Sequence, residues 1–144
     1  MSDTTLTVRE SGDGKFTQDI TVGNHKFIAD EPASVGGDDK GPGPYDYLLA
    51  ALGSCTSMTM RMYANHKKWP LEGVSVTLTH SRIHVKDCED CETEKGLVSE
   101  IRREISIDAP ELSDEQLARL MEIADRCPVH RTLSSEIKIR TTAG

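Results

Sequence analysis

Apolar and polar positions recur with two different periods along this chain, and each change of period marks a new element. Leu6 and Val8 alternate with Thr5, Thr7 and Arg9; Ser11-Gly12-Asp13-Gly14 is a turn; Phe16 to Val22 is a second short strand; Gly23-Asn24 signals a hairpin; His25 to Ala29 is a third strand. Residues 4–30 therefore predict a three-stranded meander with one apolar face, which a helix or a second chain must cover. Residues 31–43, EPASVGGDDKGPG, read as loop. Between Leu48 and Tyr63 the alternation stops: LLAALGSCTSMTMRMY is apolar on most faces and carries one charge, Arg61. Gly41-Pro42-Gly43-Pro44 stops any preceding strand and lets a helix begin near Pro44, with Asp46 in its first turn to suit the helix dipole. Pro70 ends it. A helix with no wide polar stripe is expected to be surrounded by protein. It is too interrupted by Ser54, Thr56, Ser57, Thr59 and Arg61 to be a membrane span of roughly 20 apolar residues.

Strict alternation returns at Val74, Val76 and Leu78 against Ser75, Thr77 and Thr79, predicting a half-buried strand to Val85. Ile101, Ile105 and Ile107 mark a second long strand over Leu97 to Ile107. Ser113 with Gln116 has the spacing of a capping box, and Leu117, Leu120, Met121 and Ala124 share one face of the helix that follows. That helix ends near Cys127-Pro128. His130 to Leu133 begins another short helical turn, and Ile137 and Ile139 predict a closing strand. The expected architecture is α+β: antiparallel sheets around a long central helix, in one domain spanning residues 1–144.

Length and charge narrow the functional classes. A chain of 144 residues is enough for one core and not for two. The net charge of −7, with no basic cluster beyond Lys67-Lys68 and Arg102-Arg103, argues against a nucleic-acid partner. MSDTTLTVRE lacks a basic segment followed by an apolar one, so a cytoplasmic location is expected and no membrane partner. Four cysteines then point to metal binding or redox chemistry more than to a disulfide framework.

Two pairs of cysteines carry the chemistry. Cys55 sits at the centre of the apolar helix, and Cys127 sits at a helix boundary in Asp125-Arg126-Cys127-Pro128-Val129-His130-Arg131. Two arginines and a histidine are available there as thiolate stabilisers. Read from composition alone, both are equally well inert buried thiols. Cys88-x-x-Cys91 lies in the loop after the first long strand, and with His80 and His84 it has ligand-like spacing. The histidines would lie along a strand and the cysteines beyond it. Zinc at Cys88 and Cys91, a reversible disulfide, and a chemically idle hairpin tip are three open readings. Asp87, Glu89, Asp90, Glu92 and Glu94 disfavour a nucleophilic thiolate there.

Gly43-Pro44-Tyr45-Asp46-Tyr47-Leu48-Leu49-Ala50-Ala51-Leu52-Gly53-Ser54-Cys55, followed far downstream by Cys127-Pro128-Val129-His130, resembles the OsmC/Ohr family, the osmotically inducible and organic hydroperoxide resistance proteins. The resemblance runs over essentially the whole chain. It implies an intertwined homodimer of α+β subunits and a thiol peroxidase that reduces organic hydroperoxides in oxidative-stress defence, with a thiol or dithiol as reductant and no required cofactor. It further implies that Cys55 is the peroxidatic cysteine, oxidised to a sulfenic acid, and Cys127 the resolving one that closes a disulfide with it. Peroxidases of the family carry an arginine in the N-terminal sheet region and a glutamate ten residues before the first cysteine. Here that position is Tyr45. Asp46 is the neighbouring carboxylate, Arg9 the nearest arginine, Lys15 the cation of the turn, and Arg131 a further supporting cation near Cys127. A non-catalytic small-molecule or metal-binding protein of the same fold, using Cys88 and Cys91, is the alternative.

Overall fold

The structure is a computed structural model that describes residues 3–144; Met1 and Ser2, where the stretch read for a leader begins, lie outside the described residues. By contacts the chain divides into two compact units, Met1–Leu48 and Leu49–Gly144.

The first unit is the predicted meander. Strands β1 (Thr7–Glu10), β2 (Gln18–Val22) and β3 (His25–Ala29) pair antiparallel in that order. The register runs Val8↔Ile20 and Ile20↔Phe27, so apolar positions share one face. Gly23 turns the β2–β3 hairpin at φ 56°, a conformation that glycine adopts without a Cβ clash. The loop that follows is tied down by Asp30. Its carboxylate accepts hydrogen bonds from the Thr17 hydroxyl at 2.9 Å and from the N–H groups of Glu31 and Lys40 at 2.8 and 3.2 Å. Burial pushes the Asp30 carboxyl up, but these donors together bring it below its ordinary range.

The second unit holds the core. Helix α1 (Pro44–Lys67) begins in the first unit and runs on through the second. It ends where predicted: Lys68 adopts φ 58° and Trp69 N–H bonds back to the Ala64 carbonyl at 2.8 Å, two residues before the helix could have met Pro70. Its buried positions, Leu52, Thr56, Met60 and Ala64, recur every four residues and so form one stripe. Met58 and Met62 on other faces are exposed in the single chain, so the helix is covered on one side only, not surrounded as its sequence suggested.

Strands β4 (Gly73–His84) and β5 (Leu97–Asp108) form a two-stranded antiparallel ribbon in the register Gly73↔Asp108 to His84↔Leu97. Its inner face packs Val74, Ile105 and Ile107 against Met60, Ala64 and Leu120. Gly53 permits the close approach of α1 to this ribbon, because a Cβ there would lie 2.7 Å from Leu78 Cδ1. Helix α2 (Asp114–Ala124) carries the predicted capping box: Ser113 Oγ accepts from Gln116 N–H, and Gln116 Oε1 accepts from Ser113 N–H. Helix α3 (Pro128–Leu133) follows directly.

The predicted closing strand is absent. Residues 136–144 form no ladder with any other described residue, and Ile139 is 86% exposed. Alternation of Ile137 and Ile139 gives a segment the pattern of a strand, but a strand exists only when another segment accepts its hydrogen bonds. Among the described residues no helix is long and apolar enough to cross a membrane.

Candidate functional site

Three elements of the second unit converge on Cys127. The cysteine is fully buried at the junction of α2 and α3, where it serves as the N-cap of α3, and its sulfur accepts from the His130 N–H at 3.3 Å. Pro128 at the first helical position lacks an N–H and is preorganised for the turn, which directs the capping bond to His130. From α1 comes the Thr56 hydroxyl, 3.8 Å from the same sulfur. Cys55, the residue of α1 just before Thr56, is only partly buried, and its thiol is one of the groups that favour the Cys127 thiolate. Both thiols are free.

From β5 comes Arg103. Its side chain is 12% exposed, and its guanidinium donates to Thr56 Oγ1 at 2.9 Å, to the Ala124 carbonyl at 3.2 Å and to Asp125 Oδ1 at 2.7 Å. It thus supplies the cation at the C-terminal end of α2, whose own last turn has none. Thr56 has one proton and two acceptors within reach: the Leu52 carbonyl at 2.7 Å and the Cys127 sulfur. With Arg103 donating to its oxygen, the hydroxyl can turn its proton to the sulfur when negative charge forms there.

These contacts set the state of Cys127. Burial pushes its thiol up, since a charge is poorly solvated there. The His130 N–H, the Cys55 thiol, the Thr56 hydroxyl and the positive charge of Arg103 outweigh that and hold it below the ordinary thiol value. His130 Nδ1 stands 3.8 Å from Asp125 Oδ1, an ion pair only when the imidazole is protonated. A groove of about 530 Å³ opens beside the cluster. Leu52, Ile101 and Leu133 make its wall apolar, and Arg103 and His130 add polar groups.

The other residues singled out by sequence are placed differently. Asp46 Oδ2 accepts from the Gly43 N–H at 2.9 Å, closing the first turn of α1 in the first unit. Arg9 is exposed on β1 and lines a second groove with Lys26, Lys40 and Phe27, a groove with no cysteine in its wall. Arg131 is exposed, and its backbone N–H bonds the Cys127 carbonyl at 3.1 Å. Cys88 and Cys91 are joined as a disulfide at the tip of the β4–β5 ribbon. Among the described residues the metal-capable group there is Cys88, Asp90 and Cys91; neither His80 nor His84 joins it, and His84 Nδ1 accepts from the Lys86 N–H. The ribbon holds both histidines along β4, which is why the ligand-like spacing of the sequence does not become one site.

Arg103 and Thr56 were not singled out by sequence, yet a signal for Arg103 was there. It lies on the parity of Ile101, Ile105 and Ile107, opposite Leu78, so it is an arginine placed on the buried face of an alternating strand. Such a residue has to find partners inside.

Fold and site together define an α+β protein in which a long helix that carries one free thiol packs, through the neighbouring Thr56, on a second thiol held at a late Cys-Pro junction. The family model described as OsmC-like protein matches residues 37–142, and the chain belongs to that family. Solved structures agree on the fold. A candidate osmotic stress induced and detoxification response protein from Psychrobacter arcticus 273-4 is 22% identical, with 92% of this chain and 89% of that chain covered and a TM-score of 0.70. An OsmC-like protein from Mycoplasma pneumoniae is 22% identical, with coverage of 92% and 88% and a TM-score of 0.69. The organic hydroperoxide resistance protein OsmC of Legionella pneumophila is 20% identical, with coverage of 92% and 90% and a TM-score of 0.65. No curated protein matches the chain.

Proposed function

We propose that this chain is a cysteine-based peroxidase that reduces organic hydroperoxides through a Cys55 sulfenic acid and a Cys55–Cys127 disulfide, with Cys127 serving first as the base for Cys55. The observation that carries this reading is the pair of donors on the buried Cys127 sulfur, the His130 N–H and the Thr56 hydroxyl, the latter from the helix residue next to the free Cys55 thiol. The donors and the Arg103 charge around Cys127 favour its thiolate, which takes the proton of Cys55. The Cys55 thiolate attacks the outer peroxide oxygen; the O–O bond breaks, the alkoxide takes the proton back from Cys127, and an alcohol leaves. The Cys127 thiolate, again held by His130, Thr56 and Arg103, attacks the sulfenic sulfur. An S–S bond forms and hydroxide leaves, becoming water with a proton from solvent. Two equivalents of thiol reductant restore both cysteines. The apolar wall of Leu52, Ile101 and Leu133 suits an alkyl or acyl chain better than hydrogen peroxide. Membership of the family, and the hydroperoxide resistance ascribed to the Legionella protein, support this reading. On it the protein works in the cytoplasm, where thiol reductants are plentiful.

The test is stopped-flow loss of free thiol in the reduced protein. Cumene or linoleate hydroperoxide is expected to consume the two thiols of Cys55 and Cys127 at least tenfold faster than hydrogen peroxide at equal concentration. Thiols that survive an excess of organic hydroperoxide would overturn the proposal.

The functional unit in this reading is a homodimer. Met58 and Met62 on α1, Val8 and Phe16 in the first unit, and Ile137 and Ile139 at the end of the chain are all exposed. A symmetric partner offers each of these surfaces something to cover it. Light scattering at micromolar concentration is expected to give twice the chain mass; a stable monomer with native circular dichroism rejects the dimer.

A further inference from the structure

The tip of the β4–β5 ribbon is chemically separate from the site at Cys127. Arg103, the residue of β5 beside that site, is six positions beyond Leu97 where the strand starts. At about 3.3 Å per residue the two ends lie roughly 20 Å apart, beyond direct thiol–disulfide exchange within one chain.

We propose that Cys88, Asp90 and Cys91 form a redox-gated zinc site, closed as a disulfide when oxidised and holding one Zn²⁺ through two thiolates and a carboxylate when reduced. The three ligand atoms all lie within 4.8 Å of one another. Asp90 Oδ1 is 3.4 Å from Cys88 Sγ. A tetrahedral zinc with Zn–S of about 2.3 Å and Zn–O of about 2.1 Å places sulfur and oxygen about 3.6 Å apart, so the carboxylate already stands near the ligand position. In the disulfide that sulfur has no proton to donate, so the contact gains nothing from hydrogen bonding in the oxidised form. The fourth zinc position is left to water.

The backbone around the tip is ordered before any ion arrives. Val85 N–H bonds the Gly96 carbonyl at 3.0 Å, Cys88 N–H bonds the Val85 carbonyl at 3.1 Å, and Gly96 turns the chain at φ 91°. Charge points the same way. Asp87, Glu89, Asp90, Glu92 and Glu94 face only Lys86 and Lys95 in this loop, so two added thiolates would be repelled unless a cation joins them. Two sulfurs select a borderline-soft ion such as Zn²⁺ over Mg²⁺ or Ca²⁺.

The interconversion balances. Two molecules of a small thiol open the S–S bond, giving two protein thiols and one small-molecule disulfide; Zn²⁺ then displaces both thiol protons. In reverse, a hydroperoxide accepts the two electrons, is reduced to alcohol and water with two protons from solvent, and the sulfurs join as the ion departs.

Protein reduced with a phosphine and freed of chelator is titrated with Zn²⁺ against a chromogenic zinc indicator. One tight equivalent per chain is expected, released when diamide restores the disulfide. Cys88→Ala/Cys91→Ala should bind none, Asp90→Asn should weaken binding on the order of tenfold, and Cys55→Ser/Cys127→Ser should bind as the parent does. Reduced protein that binds no more zinc than Cys88→Ala/Cys91→Ala overturns the proposal. So does zinc that is retained in that variant and lost in Cys55→Ser/Cys127→Ser, since the ion would then belong to the central pair. Circular dichroism of each variant establishes that it is folded before its binding is read.

Discussion

Cys55→Ser is expected to lower organic hydroperoxide consumption on the order of 10³-fold or more, to the rate of the buffer, because the hydroxyl that replaces the thiol cannot act as the attacking sulfur. Cys127→Ser has a different signature. The Cys55 thiol remains, so one equivalent of hydroperoxide is consumed and a sulfenic acid persists that dimedone traps, with no disulfide and no second turnover in small thiol. If Cys127 is also the base for Cys55, that single turnover is slow as well, by roughly 10- to 100-fold relative to the first turnover of the parent. The two signatures are separable by mass spectrometry and single-mixing kinetics. Full multiple turnover in both variants would remove the two cysteines from the reaction. A Cys127→Ser protein whose first turnover matches the parent would leave Cys127 as a resolving thiol only.

Much of this architecture can be read from hydrophobic periodicity, and the reasons differ by element. The long strands, the capped helix at Ser113 and the limits of α1 each rest on local chemistry: alternation, a side chain that bonds its own helix, a proline that cannot continue one. The strand expected at Ile137 and Ile139 and the full covering of α1 do not, because both depend on a second surface that one chain does not provide. The site divides in the same way. Cys55 and Cys127 were legible as motif residues, and the structure sets Cys127 against Thr56, the neighbour of Cys55, while Asp46 closes the first turn of α1 and Arg9 lies exposed on β1. The cation beside Cys127 is Arg103 of β5, about ninety residues downstream of the N-terminal turn. Tertiary placement of that kind leaves one trace in a sequence, a charged residue on a buried parity, and Arg103 shows it.

Arg103 is therefore the position whose replacement should most change how the site works while leaving its nucleophile in place. Loss of a charge-assisted hydrogen bond is worth about 1.5–3 kcal/mol, which corresponds to about 10- to 100-fold in rate. Arg103→Gln should slow the first oxidation of Cys55 by that factor. The direction of the pH effect follows from Cys127. Its folded-state value is held below that of the unfolded chain, so the thiolate contributes stability fully only above the unfolded thiol value, and that contribution fades as pH falls through the folded one. Removing the guanidinium raises the folded value. The midpoint of the rate-versus-pH curve should accordingly move to higher pH in Arg103→Gln, and return part of the way in Arg103→Lys, which keeps the charge without the fork that spans Thr56, Ala124 and Asp125. A structural loss alone would lower the rate at every pH without moving the midpoint. Asp125→Asn is the control for the ion pair: Asp125 is 68% exposed, so its removal is expected to change stability by no more than about 1 kcal/mol and to leave the profile in place. An Arg103→Gln profile that coincides with the parent's would mean that Arg103 closes the end of α2 and does nothing for the thiols.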